Sequence, residues 1–287
     1  MDFLGIANGA IRRILIAAGV RSEYRSVLNN VVHYYRADGP GRGPPMLMVH
    51  GLGSSGNSFF RAIKPLTKKF RSVWAIDIPG NGYSPLPPGG AMPIRDQVKV
   101  VTSFINDVIG EPVFLVGNSL GGAMSLFAAH EAPQLLKGLA LISPAGARVS
   151  DERMKDLVKS FKVETNADAR RMTRRLFHKA PLGMLVFAGE LRKLYASETV
   201  VSILNEVKPE DTVTEEMLAG LSMPTMLIWG KSEKLLPYEG IDYFRAHLPP
   251  HAEVHEVKGY GHMPQMERPA DVVKRIVKFA QTRGLLD

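Results

Sequence analysis

Short, nearly continuous apolar runs rich in β-branched residues recur along this chain. They are PMLMVHG (45–51), SVWAIDIPG (72–80), PVFLVGNS (112–119), LKGLALISP (136–144), PTMLIWG (224–230) and AEVHEVKG (252–259). Each has the length of a strand, and the scarcity of polar alternate positions predicts burial on both faces. Between the runs, apolar residues return at helical spacing in IRDQVKVVTSFINDVIG (94–110), LGGAMSLFAAHEA (120–132) and ADVVKRIVKFAQTRG (270–284). Strand–helix alternation predicts an α/β fold with a mostly parallel central sheet flanked by helices. An earlier run, NNVVHYYRAD (29–38), predicts an antiparallel edge strand, followed by the turn-rich connector GPGRGPP (39–45).

One interval breaks the rhythm. From about residue 148 to residue 222 no strand pattern occurs, while DERMKDLVKSF, NADARRMTRRLFHK, MLVFAGELRKLYA and SETVVSILNEV all carry helical spacing. Structureless loops of that length are uncommon in compact domains, so the interval predicts a helical cap inserted between two late strands. Ligands of open parallel sheets bind beyond the carboxyl ends of the strands, and a cap placed there would roof the site. The expected division is an N-terminal amphipathic helix over 1–28, a core over 29–147 and 223–287, and the cap over 148–222.

The first twenty residues place apolar side chains at 3, 4, 7, 10, 11, 14, 15 and 18, one face of a helix. Asp2, Arg12 and Arg13 make the stretch a poor membrane span, and its arginines follow the first apolar residues, which does not fit a signal peptide. Two readings stand: a helix packed on the body, or one lying in a membrane interface. The formal net charge is +8, and nine Lys/Arg between Arg153 and Lys179 face only Asp156, Glu164 and Asp168. The basic cap is either a solvated helix face or an anionic lipid contact, and no nucleic-acid module accompanies it. The chain is 45% hydrophobic and 22% charged, ordinary for a globular protein, and has no cysteine. Disulfides, thiolate metal sites and cysteine nucleophiles are therefore excluded, and a cytoplasmic or peripherally membrane-associated location is the expectation. Nothing in the chain specifies an oligomeric state.

The chemistry gathers at strand ends. GNSLGG (117–122) follows the run VFLV and opens a helix, the setting in which G-x-S-x-G turns a serine outward on a sharp, strained turn; the bland reading is a glycine-rich turn with an idle serine. Ser119 is the candidate nucleophile, and a serine hydroxyl needs a base. His262 in GYGHMPQMERP stands after the last strand and before the last helix, on the same sheet edge. His50 also ends a strand, but HGLG reads as a backbone turn. A base needs a carboxylate to orient it. Glu233, in WGKSEKLLP, is the only carboxylate on its turn, whereas SPAGARVS after the 136–144 strand offers none. Its bland reading is a solvated surface glutamate. The oxyanion hole is assigned to the backbone N–H groups of Leu120 and Leu52. Met172, Leu176, Phe177, Leu182, Met184, Leu185 and Phe187 are candidates to line an acyl pocket, with His50, Gly51 and Met263 bordering it. At helical spacing most of the cap residues read as plain core before they read as pocket lining.

HGLG, DIPGNGYS, GNSLGG, WGKSE and GHMPQMERP, in this order, resemble the α/β-hydrolase superfamily from about Val31 to Leu285. Within it, LISPAG, IWGK and GH…MERP are most similar to the membrane-associated monoacylglycerol lipases. The resemblance implies a serine carboxylic-ester hydrolase acting on a monoacylglycerol or medium-chain ester, with no cofactor and no metal. It also implies a membrane helix at the N-terminus. Carbon–carbon bond hydrolysis of meta-cleavage products is the alternative, since GNS-x-GG is similar to that branch too. Perhydrolysis would use the same triad, and a non-catalytic scaffold is disfavoured because all three positions carry competent side chains. The chain departs from the superfamily in having Glu233 where W-G-x-x-D is usual.

Overall fold

The computed structural model describes residues 3–186, 188–207 and 211–286. Eight strands form one sheet: β1 (Arg21–Val27), β2 (Asn30–Asp38), β3 (Met46–Val49), β4 (Ser72–Ile76), β5 (Val113–Asn118), β6 (Leu136–Ile142), β7 (Thr225–Gly230) and β8 (Glu253–Val257). Their order is β1-β2-β4-β3-β5-β6-β7-β8. β2 is antiparallel to both neighbours, and the pairs from β4 to β8 are all parallel. β3 pairs with β4 on one side and β5 on the other, so the loops leaving β3 and β5 diverge. This is the crevice where open α/β sheets hold ligands.

Alternation along the strands divides the core between the two faces. Leu47 and Val49 of β3 and Leu115 of β5 pack with Met124, Phe127 and Phe244 on one face. Met46 and Met48 of β3 and Phe114 and Val116 of β5 pack with Phe59, Phe70 and Phe279 on the other. The helices of the body are α1 (Phe3–Ala17), α2 (Phe60–Leu66), α3 (Ile94–Ser103) and α4 (Leu120–Glu131). Between β6 and β7 run α5 (Asp151–Ser160), α6 (Asn166–Leu176), α7 (Leu182–Val186), α8 (Ala188–Tyr195), α9 (Glu198–Glu206) and α10 (Glu215–Ala219). After β7 come α11 (Glu239–His247), α12 (Pro264–Glu267) and α13 (Pro269–Thr282). The α5–α10 segment has a hydrophobic cluster of its own, including Phe161, Met172, Phe177 and Tyr195. Leu235 and Met263, from the loops after β7 and β8, complete that cluster and seat the helices over the carboxyl ends of the strands.

Four expectations need correction. Residues 1–28 are not one helix: α1 ends at Ala17, and Arg21–Val27 form β1. The strand is hard to see in the sequence because RSEYRSV is mostly polar. It is held by full antiparallel pairing with β2 through a turn at Leu28 (φ 47°) and Asn29 (φ 62°), the positive-φ geometry that suits a two-residue hairpin. It follows that β2 is interior, with Val32–Tyr35 buried, and β1 is the edge strand. β8 is half-exposed along Glu253–Glu256 instead of buried on both faces, because it is the last strand at that end of the sheet. Finally, the helix over 94–110 loosens after Ser103 into a π-helical turn, Phe104–Ile109, closed by Gly110 at φ 79°.

The inward face of α1 keeps Leu4, Ile11 and Leu15 of the expected apolar face but turns Ile14 of that face outward. Leu15 is buried and Leu4, Asn8, Ile11 and Arg12 are half-buried, whereas Ile6, Ile14 and Ile16 are 59%, 58% and 51% exposed. Polar contacts decide this orientation. Asn57 Nδ2 donates to Asn8 Oδ1 at 3.1 Å, and the Arg12 guanidinium lies over the Tyr83 ring.

Candidate active site

The turn after β5 is strained. Ser119 sits at φ 57°, ψ −121°, a region an ordinary residue occupies at a cost of about 1–3 kcal/mol. Glycines make that turn fit. A Cβ on Gly117 would lie 2.3 Å from the Gly121 carbonyl oxygen, one on Gly121 would lie 2.3 Å from the Val49 carbonyl oxygen, and one on Gly122 would lie 2.7 Å from Pro144 Cβ. The strain places Ser119 at the N-terminus of α4, where the Leu120 N–H belongs to the first helical turn, a favourable place for negative charge. The loop after β3 closes on the same spot: a Cβ on Gly51 would lie 2.9 Å from Ser119 Cβ. Leu52, the residue assigned as second oxyanion donor, follows directly.

His262 and Glu233 meet. His262 Nδ1 lies 2.8 Å from Glu233 Oε2, and both side chains are buried. An ionised carboxylate only accepts, so Nδ1 carries the proton and Nε2 is left as the basic nitrogen. Burial pushes the Glu233 pKa up. The His262 charge and the hydrogen bonds from His262 and from the Leu235 and Leu236 N–H groups outweigh it, and the net value lies below the ordinary one. The two backbone bonds, 2.8 and 3.2 Å, both go to Oε1 and leave Oε2 for the histidine. Glu233 is therefore a buried partner of His262 and not a solvated surface group.

The nucleophile turn and the histidine loop are joined by Asn118. Its Nδ2 donates to the Ile142 carbonyl at 3.0 Å and to the His262 carbonyl at 3.1 Å, while Gln265 Nε2 donates to its Oδ1 at 2.9 Å. Asn118, His262 and Gln265 are all buried. Among the described residues no hydrogen bond joins Ser119 Oγ to His262 Nε2; such contacts commonly tighten only when a substrate is bound. Asn118 and Gln265 had no assigned role in the sequence. Their signal was only adjacency, one residue before Ser119 and three after His262.

His50 is not a second base. Its Nε2 accepts from the Ile78 N–H at 3.1 Å and its Nδ1 lies 2.8 Å from the Gly51 carbonyl oxygen. Burial lowers its pKa more than Asp77 and the Gly51 carbonyl raise it, so it stays neutral and ties the β3 loop to the end of β4. His50, Gly51, Leu52, Leu120, Gln97 and Ile203 are among the residues lining a cavity of about 10 Å³ beside the assigned oxyanion donors. That is room for about one water.

Of the proposed acyl-pocket residues, Met172, Leu176, Phe177 and Met263 are buried together in the cap cluster, and Leu185 is half-buried. Leu182, the first residue of the short helix α7, is 80% exposed and stands apart from that cluster. Phe187 and the side chain of Met184 lie outside the described residues. The DIPGNGYS turn is organised by Asp77, which accepts from the Gly56 and Tyr83 N–H groups and from His33 Nδ1. Among the described residues no group of three or more His, Cys, Asp or Glu is arranged to hold a metal ion.

Comparison with known proteins extends this geometry. The chain is 26% identical over 260 residues to monoacylglycerol lipase ABHD6 of Mus musculus, covering 84% of this chain and 76% of that one. It is 28% identical over 257 residues to the pimeloyl-[acyl-carrier protein] methyl ester esterase of Xanthomonas oryzae pv. oryzae (strain MAFF 311018), covering 83% and 96%. The crystal structure of a membrane phospholipase A, described as a bacterial virulence factor, superposes with a TM-score of 0.84 at 24% identity, over 97% of this chain and 91% of the other. A model of the alpha/beta hydrolase fold matches residues 44–269, a span that holds the nucleophile turn, the cap and the histidine loop. With that match and the mostly parallel eight-stranded sheet, the chain belongs to the alpha/beta hydrolase fold family.

Proposed function

We propose that this protein is a serine carboxylic-ester hydrolase acting on lipid-like esters, with Ser119 as nucleophile, His262 as general base and acid, and Glu233 as the orienting carboxylate. The observation that carries the reading is the buried 2.8 Å bond from His262 to Glu233, on the strand ends where Ser119 is held in its strained turn. His262 Nε2 takes the Ser119 proton as Oγ attacks the ester carbonyl. The Leu52 and Leu120 N–H groups receive the developing oxyanion. His262 then returns the proton to the leaving alcohol, and a water activated by the same nitrogen releases the acid. Glu233 stabilises the imidazolium in both steps. The relatives named as a monoacylglycerol lipase and a methyl ester esterase support an ester as substrate, and the apolar roof of Met172, Leu176 and Phe177 suits an acyl chain. A fluorophosphonate probe is expected to label Ser119, with turnover of p-nitrophenyl esters and monoacylglycerols. Hydrolysis of a meta-cleavage dienoate without any ester turnover would favour the carbon–carbon reading instead.

The same proposal places the protein against a membrane surface. Among the described residues no helix is long and apolar enough to cross a bilayer. The outward isoleucines of α1, Ile6, Ile14 and Ile16, lie beside the exposed Arg13 and suit an interfacial contact with anionic lipid. The exposed Lys155, Lys159, Lys162 and Arg174 add positive charge on the cap. An Ile6→Ser/Ile14→Ser variant should bind anionic vesicles at least several-fold more weakly and still hydrolyse a soluble ester. Binding equal to wild type would discard the interfacial role.

A further inference from the structure

The chain leaving α6 does more than cover the site. It is bonded directly to the backbone after His262, and through Glu267 to the backbone before it. The Met263 N–H donates to the Leu176 carbonyl at 3.1 Å. The Gly261 N–H donates to Glu267 Oε2 at 3.1 Å, and the Lys179 N–H donates to Oε1 of the same carboxylate at 3.0 Å. The two segments press together so closely that a Cβ on Gly261 would lie 2.4 Å from the His178 nitrogen. On the acid side, His178 Nδ1 and Ser232 Oγ share a hydrogen bond of 2.7 Å, and the Ser232 N–H donates to the Tyr260 carbonyl at 3.0 Å. The cap therefore grips the residues before and after the base and the residue before the acid.

We infer that Glu267 is a positioning residue for the His262 base, a carboxylate that divides its two oxygens between the cap and the histidine loop so that seating of the cap sets the orientation of His262. The inference rests on the triad reading of Ser119, His262 and Glu233. An ionised carboxylate accepts with both oxygens, and bonds to it are stronger than neutral ones. Glutamine in its place has nearly the same shape but one accepting oxygen, and its NH2 would oppose the second N–H. One of the two anchors is lost, and small misplacements of a catalytic group are costly.

The test compares wild type with Glu267→Gln and His178→Ala on p-nitrophenyl acetate and on a long-chain monoacylglycerol, alongside amide exchange at Lys179 and Gly261. Glu267→Gln should lower kcat/KM about 10-fold on both esters, mostly through kcat. The acid limb of the kcat/KM profile should move to lower pH, because a looser His262–Glu233 contact stabilises the imidazolium less. Exchange at Lys179 and Gly261 should quicken together. His178→Ala should move the same limb in the same direction by a smaller amount. In a Glu233→Gln background, Glu267→Gln should add little. A lower Tm with kcat and the acid limb unchanged would make Glu267 a structural latch only and overturn the inference. So would a loss confined to KM for the long-chain ester. If wild type hydrolyses neither ester, the triad reading fails, while the exchange of the two amides still decides whether Glu267 couples the cap to the histidine loop.

Discussion

Among the described residues two histidine–carboxylate pairs are buried. His33 Nδ1 lies 2.7 Å from Asp77 Oδ2, and His262 Nδ1 lies 2.8 Å from Glu233 Oε2. The first even has a serine at its other nitrogen, since Ser22 Oγ is 2.7 Å from His33 Nε2. By hydrogen bonds alone, Ser22–His33–Asp77 is the more complete chain. What separates the pairs is the backbone around each serine. Ser22 lies near the start of β1 within a regular antiparallel ladder, opposite Tyr35, with no helix beginning after it. Ser119 sits on a strained turn at the head of α4, against the β3 loop, under an apolar roof. A hydrogen-bonded Ser–His–carboxylate chain is therefore a buried polar network first, and it becomes chemical only where strain, amide donors and a cleft converge. Asp77 shows the structural role plainly, because it accepts from Gly56 and Tyr83 as well as from His33 and so pins two loops to the end of β4.

The sharpest way to break the comparison is to remove each serine. Ser119→Ala should reduce kcat by about 10⁵–10⁶-fold and abolish fluorophosphonate labelling, while Ser22→Ala should retain both. Labelling that followed Ser22 would exchange the roles of the two pairs. Next come the carboxylates. Glu233→Gln should cost about 10⁴-fold in kcat, because a neutral amide cannot stabilise the imidazolium, and Glu233→Asp should retain more because only reach is altered. Asp77→Asn should instead cost stability, about 3 kcal/mol in urea unfolding, with far less effect on turnover per folded molecule. A Glu233→Gln enzyme with near wild-type turnover would return Glu233 to the class of Asp77.

The smallest effect is the pH dependence of stability. Glu233 has a folded-state pKa below its ordinary value. Its ionised form therefore stabilises the fold fully above the unfolded-state pKa, and that contribution is lost as pH falls through the folded-state value. Unfolding measured for wild type and Glu233→Gln should differ at neutral pH and converge as the solution is acidified through and below the usual carboxylate range. A difference that persisted unchanged in acid would mean that the glutamate acts by shape and not by charge.

Much of the fold was legible because it is written in local pattern. The six apolar runs became β3 to β8 at nearly the expected bounds, and the interval between β6 and β7 holds the six helices α5 to α10 and no strand among its described residues. The runs were readable because a strand buried on both faces needs apolar residues at almost every position. β1 was not readable, since RSEYRSV carries no such signal and exists through its register with β2. The inward face of α1 was legible only in part, for a related reason. Periodicity ranks faces by hydrophobicity, but the Asn8–Asn57 bond and the Arg12–Tyr83 contact belong to residues far apart in sequence. At the site, Ser119 and His262 stood out by motif and by strand position, and Glu233 by elimination. Glu267, Asn118 and Gln265 did not, because a carboxylate or amide bonded to backbone N–H and C=O groups leaves no spacing to find.

The sequence by itself determined where every strand but β1 lies, that a helical stretch separates β6 from β7, and which side chains at the strand ends are candidates for chemistry, because hydrophobic period and glycine placement are properties of neighbouring residues. Only the tertiary structure decided which of two buried histidine pairs shares its sheet edge with a strained serine at the head of a helix, which way α1 turns its isoleucines, and that the cap is bonded to the residues flanking the base. Those are properties of backbone groups brought together across long stretches of chain, and their hydrogen bonds depend on position, to which any residue type can contribute.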